Sequence, residues 1–134
     1  MPSITGVAHV ELSVRDLDTS SQWYCRLLGA REVFREPNEA ENLVACAIFE
    51  PNSRLVLAFT QHLAPTEGAF DVRRLGLDHL SFAVADRPAL DEWSSCLNEL
   101  GIPNSGIQDI GYALSITFAD PDGIPLEVFL TARG

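Results

Sequence analysis

His9 in GVAHVELSVRD (6–16) and His79 in GLDHLSFAVAD (76–86) hold equivalent places in two stretches 70 residues apart. An imidazole offers a nitrogen donor to a divalent cation, and Glu127, in LEVF (126–129), adds a carboxylate that partly neutralises it. Two imidazoles and one carboxylate converging on a cavity make a facial ligand set with open positions for water or substrate. A lone inward histidine is more often a hydrogen-bonded core residue. The duplicate histidine and the matching acid turn the reading toward a metal. Glu11 lies two positions after His9, so a strand directs both side chains to one side. That carboxylate is a candidate general base for a proton next to a chelated carbonyl, and its plain alternative is a solvated rim residue.

The elements that position these groups are written twice. Gly6 and Gly76, His9 and His79, Val14 and Val84, Asp16 and Asp86, Trp23 and Trp93, and Leu27 and Leu97 are identical pairs at the same offset. Such an internal repeat governs the fold. In the first copy, residues 6–15 alternate as a strand, and Asp16 caps a helix carrying Leu17, Tyr24, Leu27 and Leu28 that stops at Gly29. Strands follow near 31–36, 43–50 and 54–61, with Pro51, Asn52 and Ser53 as a hairpin turn. The second copy runs a strand over 77–85, the cap Asp86, and a helix with Pro88 in its first turn. Its stripe of Leu90, Trp93, Leu97 and Leu100 ends at Gly101. Strands near 112–119 and 124–131 meet at Asp120-Pro121-Asp122-Gly123. The segment 62–74 has no period and reads as a linker. The expectation is an α+β chain of two βαβββ modules, 1–61 and 75–134, paired as one structural domain because each half is too small to bury its own sheet face.

Parity assigns the faces. Ala8, Val10, Leu12 and Val14 lie under the first helix, leaving His9, Glu11 and Ser13 opposite; Leu80, Phe82 and Val84 leave His79, Ser81 and Ala83 opposite. Leu126, Val128 and Leu130 take the helix side, so Glu127 and Phe129 join the histidine face, with Ala113, Ser115 and Thr117 from the preceding strand. Ala58 is the first-module counterpart of Glu127 and supplies no fourth ligand. The expected site has His9, His79 and Glu127 on the metal, Glu11 and Glu127 in the chemistry, and Ala58, Ser81, Ser115, Thr117 and Phe129 along the substrate.

Composition excludes much else. The net charge of −10 argues against nucleic acid and anionic membrane surfaces as partners. All nine basic residues are arginine, so Schiff-base lysine chemistry and the Walker A loop are absent together. No GxGxxG or GxSxG occurs, and no apolar run approaches the roughly 18 residues of a membrane span. The N-terminus carries no secretory pattern, and Cys25, Cys46 and Cys96 show no CxxC spacing, which together suggest a cytoplasmic protein with reduced thiols.

HVELSVRDLDTSSQWYCRLLGA, DHLSFAVAD and ADPDGIPLEVF resemble the vicinal oxygen chelate superfamily, which holds glyoxalase I, bleomycin resistance proteins, extradiol dioxygenases, fosfomycin resistance proteins and methylmalonyl-CoA epimerase. The resemblance implies an eight-stranded cup around one divalent ion (Fe, Mn, Ni, Co or Zn), with ligands at His9, His79 and Glu127. It also implies a homodimer whose sites lie either within one chain or across the pair, with one chain contributing His9 and its partner His79 and Glu127, and a small-molecule substrate that chelates the metal through adjacent oxygens. Ala58 departs from the glyoxalase I pattern, Thr117 stands where extradiol dioxygenases place a tyrosine, and residues 107–113 lack the cations of fosfomycin-modifying members. The resemblance therefore implies a glyoxalase-like metal enzyme performing isomerase, epimerase, lyase or addition chemistry. The alternatives are an Fe(II) extradiol-type dioxygenase and a non-catalytic, bleomycin-resistance-like binding protein.

Overall fold

The structure, a computed structural model, describes residues 1–64 and 67–132. It divides into two compact units, Met1–Gly68 and Ala69–Gly134.

The first unit runs β1 (Val10–Ser13), α1 (Leu17–Leu28), β2 (Arg31–Asn38), β3 (Leu43–Glu50) and β4 (Leu55–His62). Its sheet has the order β1-β4-β3-β2, with β1 parallel to β4 and the other pairs antiparallel. β1 is shorter than the alternation over 6–15 predicts. It pairs with β4 alone, from Val10 opposite Leu57 to Ser13 opposite Thr60, and β4 begins at Leu55. Residues before 8 thus have no neighbour in that register. At the other end His62 still pairs with Leu43, so the strand takes the first residue of the expected linker.

Helix α1 starts where Asp16 accepts the Thr19 N–H at 2.8 Å and stops where Gly29 turns left-handed at φ 64°. Leu17, Tyr24 and Leu27 of the helix are buried, as are Leu12, Cys46, Ile48, Leu57 and Phe59 of the sheet. The Tyr24 and Phe59 rings lie 4.9 Å apart. A polar clasp ties helix to sheet at the edge: Ser21 Oγ donates to Glu32 at 2.8 Å, and Arg35 bridges Glu32 and Asp18 at 2.8 and 2.6 Å.

The second unit repeats the plan with β5 (Leu80–Ala83), α2 (Arg87–Glu99), β6 (Gln108–Asp109), β7 (Ala113–Ala119) and β8 (Pro125–Thr131), in the order β5-β8-β7-β6. β6 is a two-residue strand too short to show a period in the sequence. Asp86 accepts from the Ala89 N–H at 2.9 Å, as Asp16 does in the first copy. The β7–β8 turn is held by the Asp120 carboxylate, which accepts from Asp122 and Ile124 N–H at 2.9 Å each, and Gly123 provides the positive φ of 81°. Leu90, Leu97, Ile116, Leu126 and Val128 are buried. No helix among the described residues is long and apolar enough to cross a membrane.

Candidate metal centre

Glu127 sits in the middle strand of a three-strand row, opposite Ser81 of β5 and Thr117 of β7. The apolar side of β8, Leu126 and Val128, lies toward α2 and is buried, so alternation turns Glu127 and Phe129 to the other face. His79 directly precedes β5. Its Nε2 is 3.6 Å from Glu127 Oε1, and its Nδ1–H donates to the Asp78 carboxylate at 2.7 Å. The Glu127 side chain is 15% exposed and the His79 side chain 46%. The Asp78 hydrogen bond raises the His79 pKa, partial burial opposes it, and the Glu127 charge adds a further rise.

In the first unit His9 precedes β1 and is exposed, and Glu11 stands opposite Ala58. Thr60 Oγ1 donates to Glu11 Oε2 in a short hydrogen bond. Ala58 is 7% and Thr60 4% exposed, so the groove beside Glu11 is floored by small side chains. A cleft of about 570 Å³ opens on this side of the unit, between Glu11 and the β2–β3 hairpin that carries Phe34, Glu36, Glu41 and Leu43. The same alternation places His62 on the face of Thr60 and Ala58.

The structure therefore brings His79 and Glu127 together, sets Ser81 and Thr117 beside Glu127, and puts Phe129 and the buried Ser115 next along the same face. His9, Glu11 and Ala58 belong to the other unit. Among the described residues no group of three or more His, Cys, Asp and Glu side chains is disposed to hold a metal ion. Asp78 and Thr60 escaped the reading of the sequence. Asp78 was legible as the neighbour of His79. Thr60 meets Glu11 across 49 residues, and only the β1–β4 register reveals it.

A family model described as the Glyoxalase/Bleomycin resistance protein/Dioxygenase superfamily matches residues 6–128. The chain belongs to this superfamily. A glyoxylase/bleomycin resistance protein/dioxygenase domain from Frankia sp. EAN1pec is 33% identical and superposes with a TM-score of 0.88, covering 98% of this chain and 96% of that one. The curated relative "Putative ring-cleaving dioxygenase MhqA" of Bacillus subtilis (strain 168) is 27% identical over 98% of this chain, which spans 42% of the relative's length. The fold is also that of the fosfomycin resistance protein FosX of Listeria monocytogenes solved with Mn(II) and sulfate. That match has 17% identity and a TM-score of 0.68, and covers 98% and 96% of the two chains.

Proposed function

We propose that the protein is a divalent-metal-dependent enzyme of the glyoxalase type, performing isomerase, epimerase, lyase or addition chemistry on a small oxygenated molecule, with His79 and Glu127 as metal ligands and His9, from the same chain or from a second copy, as the third. The observation that carries this reading is the His79–Glu127 pair oriented by Asp78. Its donor chemistry fits the group. Two donors each about 2.1 Å from one ion lie about 3.0–3.4 Å apart for right-angled to tetrahedral geometry. The observed 3.6 Å needs only a small side-chain adjustment. A carboxylate on the second ring nitrogen is the usual support of a ligating imidazole, since it fixes the ring and leaves Nε2 for the ion.

A bound divalent ion supplies Lewis-acid polarisation of two adjacent substrate oxygens. The chain's own residues do the rest. Ser81 and Thr117 flank Glu127 with hydroxyls that orient a polar substrate edge. Glu11 is the base of this reading: Thr60 Oγ1 donates to one of its carboxylate oxygens and Ala58 stands opposite it, and such a carboxylate can take the proton next to a chelated carbonyl. The active species of this reading is a cytoplasmic homodimer.

Metal analysis of protein purified without chelator, followed by titration with Mn(II), Fe(II), Ni(II), Co(II) and Zn(II), tests the reading. Tight binding of one of these ions at one per site, lost in H79A and E127Q, is expected. A wild-type protein that refuses every ion overturns it and favours a binding protein.

A second reading, an Fe(II) dioxygenase that opens an oxygenated ring, is favoured by the 27% identity to the relative named for ring cleavage. Oxygen consumption with a panel of dihydroxylated aromatics after anaerobic iron loading separates it from the first.

A further inference from the structure

Tyr112 is a large aromatic residue with 71% of its surface exposed, yet its backbone is held firmly. Its carbonyl accepts the Ala132 N–H at 3.1 Å, and the turn that delivers it is closed by Ile110 N–H to the Ala113 carbonyl at 3.0 Å and by Gly111 N–H to Asp109 Oδ1 at 2.8 Å. Gly111 takes φ 92°, a conformation that side chains rarely adopt. The turn thus fixes where the ring emerges. The ring leans on Phe129, with centroids 6.2 Å apart and planes inclined at 42°. Phe129 is two residues beyond Glu127 on the same face of β8, about 7 Å along the strand. Across the ladder from Phe129, its neighbour Ser115 is small and only 2% exposed.

We infer that Tyr112 and Phe129 form an aromatic platform that seats a planar ring of the ligand, with the ring's oxygen-bearing end toward His79 and Glu127. The area available decides the size of the occupant. Two aromatic side chains bury at most about 150–250 Å² each, against about 800 Å² per partner for a stable protein interface. Glu127, with Ser81 and Thr117 opposite it, follows Phe129 on the same face, so polar groups begin about one ring's length from the platform. With the planes inclined at 42°, a ligand ring stacked on one aromatic face lies tilted against the other. The direction given to the ligand rests on the metal-centre reading, and the platform itself does not.

Phenacyl alcohol and hydroxyacetone test this. Both are neutral and carry the same adjacent oxygens, and they differ by a phenyl ring in place of a methyl group. Dissociation constants for each are measured by NMR titration of the full chain, with Mn(II) and with EDTA. The wild-type protein is expected to prefer phenacyl alcohol in both conditions. In Y112A that preference falls about 2- to 12-fold, with hydroxyacetone and Mn(II) affinities unchanged, and Y112F retains it. The platform is overturned by a wild type without ring preference, by a preference that Y112A leaves intact, or by equal losses on both probes. Should Y112A fail to fold, F129L is read in the same way. If Mn(II) tightens neither probe while the ring preference persists in EDTA, the metal reading fails and the platform stands.

Discussion

The Asp78 carboxylate accepts the Nδ1–H of its sequence neighbour His79 at 2.7 Å and leaves the opposite ring nitrogen facing Glu127. Without that bond the imidazole, 46% exposed, is free to rotate and to change tautomer. D78A is therefore expected to weaken divalent-metal binding about 10- to 100-fold while the thermal midpoint moves little. Isothermal titration of the wild type and D78A with Mn(II) checks this, and equal affinities would show that Asp78 orients nothing.

The two helix caps are the same device used twice. Asp16 and Asp86 each accept the N–H three residues on, from Thr19 and Ala89, which would otherwise point at nothing in the first turn. D16A and D86A should each cost about 1 kcal/mol. Their effects should add, since the caps lie in separate units. Urea denaturation of both single variants and the double variant measures it.

These caps also show what a sequence makes legible. Asp16 and Asp86 stand just before helical stripes, and Gly29 just after one, so local chemistry announces both ends of α1 and the start of α2. The strand faces were equally plain. Parity alone puts Glu127 on one face with Ser81 and Thr117, and the register sets it directly opposite both. What stayed hidden depends on partners remote in the chain. The true length of β1 is set by where β4 begins, β6 is two residues long, and Glu11 meets Thr60 only because two parallel strands align. No local periodicity encodes a register.

Glu32 has a carboxylate held below its ordinary pKa, chiefly by hydrogen bonds from Arg35, with partial burial opposing and Ser21 assisting. A folded-state pKa below the unfolded one contributes stability above the unfolded pKa, and that contribution is lost as pH falls through the folded value. E32Q should therefore be less stable than the wild type at pH 7, by no more than about 1 kcal/mol because the pair is partly exposed. The gap should narrow as pH falls below the unfolded-state glutamate value of about 4.3 and close once pH passes the lowered folded-state value. Paired denaturation curves at pH 7 and pH 3 test this, and a gap that stays constant would rule out the charge as its source.

Cys46 lies on the helix side of β3, 1% exposed, and burial pushes its thiol up to about 11, with the nearby Glu32 charge adding to the rise. At pH 8 roughly one thiol in a thousand is then ionised, and the reagent has almost no access. Two barriers act on the same sulfur. In the native protein a thiol-specific alkylating agent should leave Cys46 unmodified, and in guanidinium chloride all three cysteines should react, as peptide mass spectrometry would report. The same geometry separates Cys46 from the proposed chemistry. Strand alternation puts it opposite the face that carries Glu11, Ala58 and Thr60, so C46A should keep the metal affinity of the wild type while losing stability to the cavity it leaves. A folded C46A protein that no longer binds the ion would mean that the thiol takes part in the site.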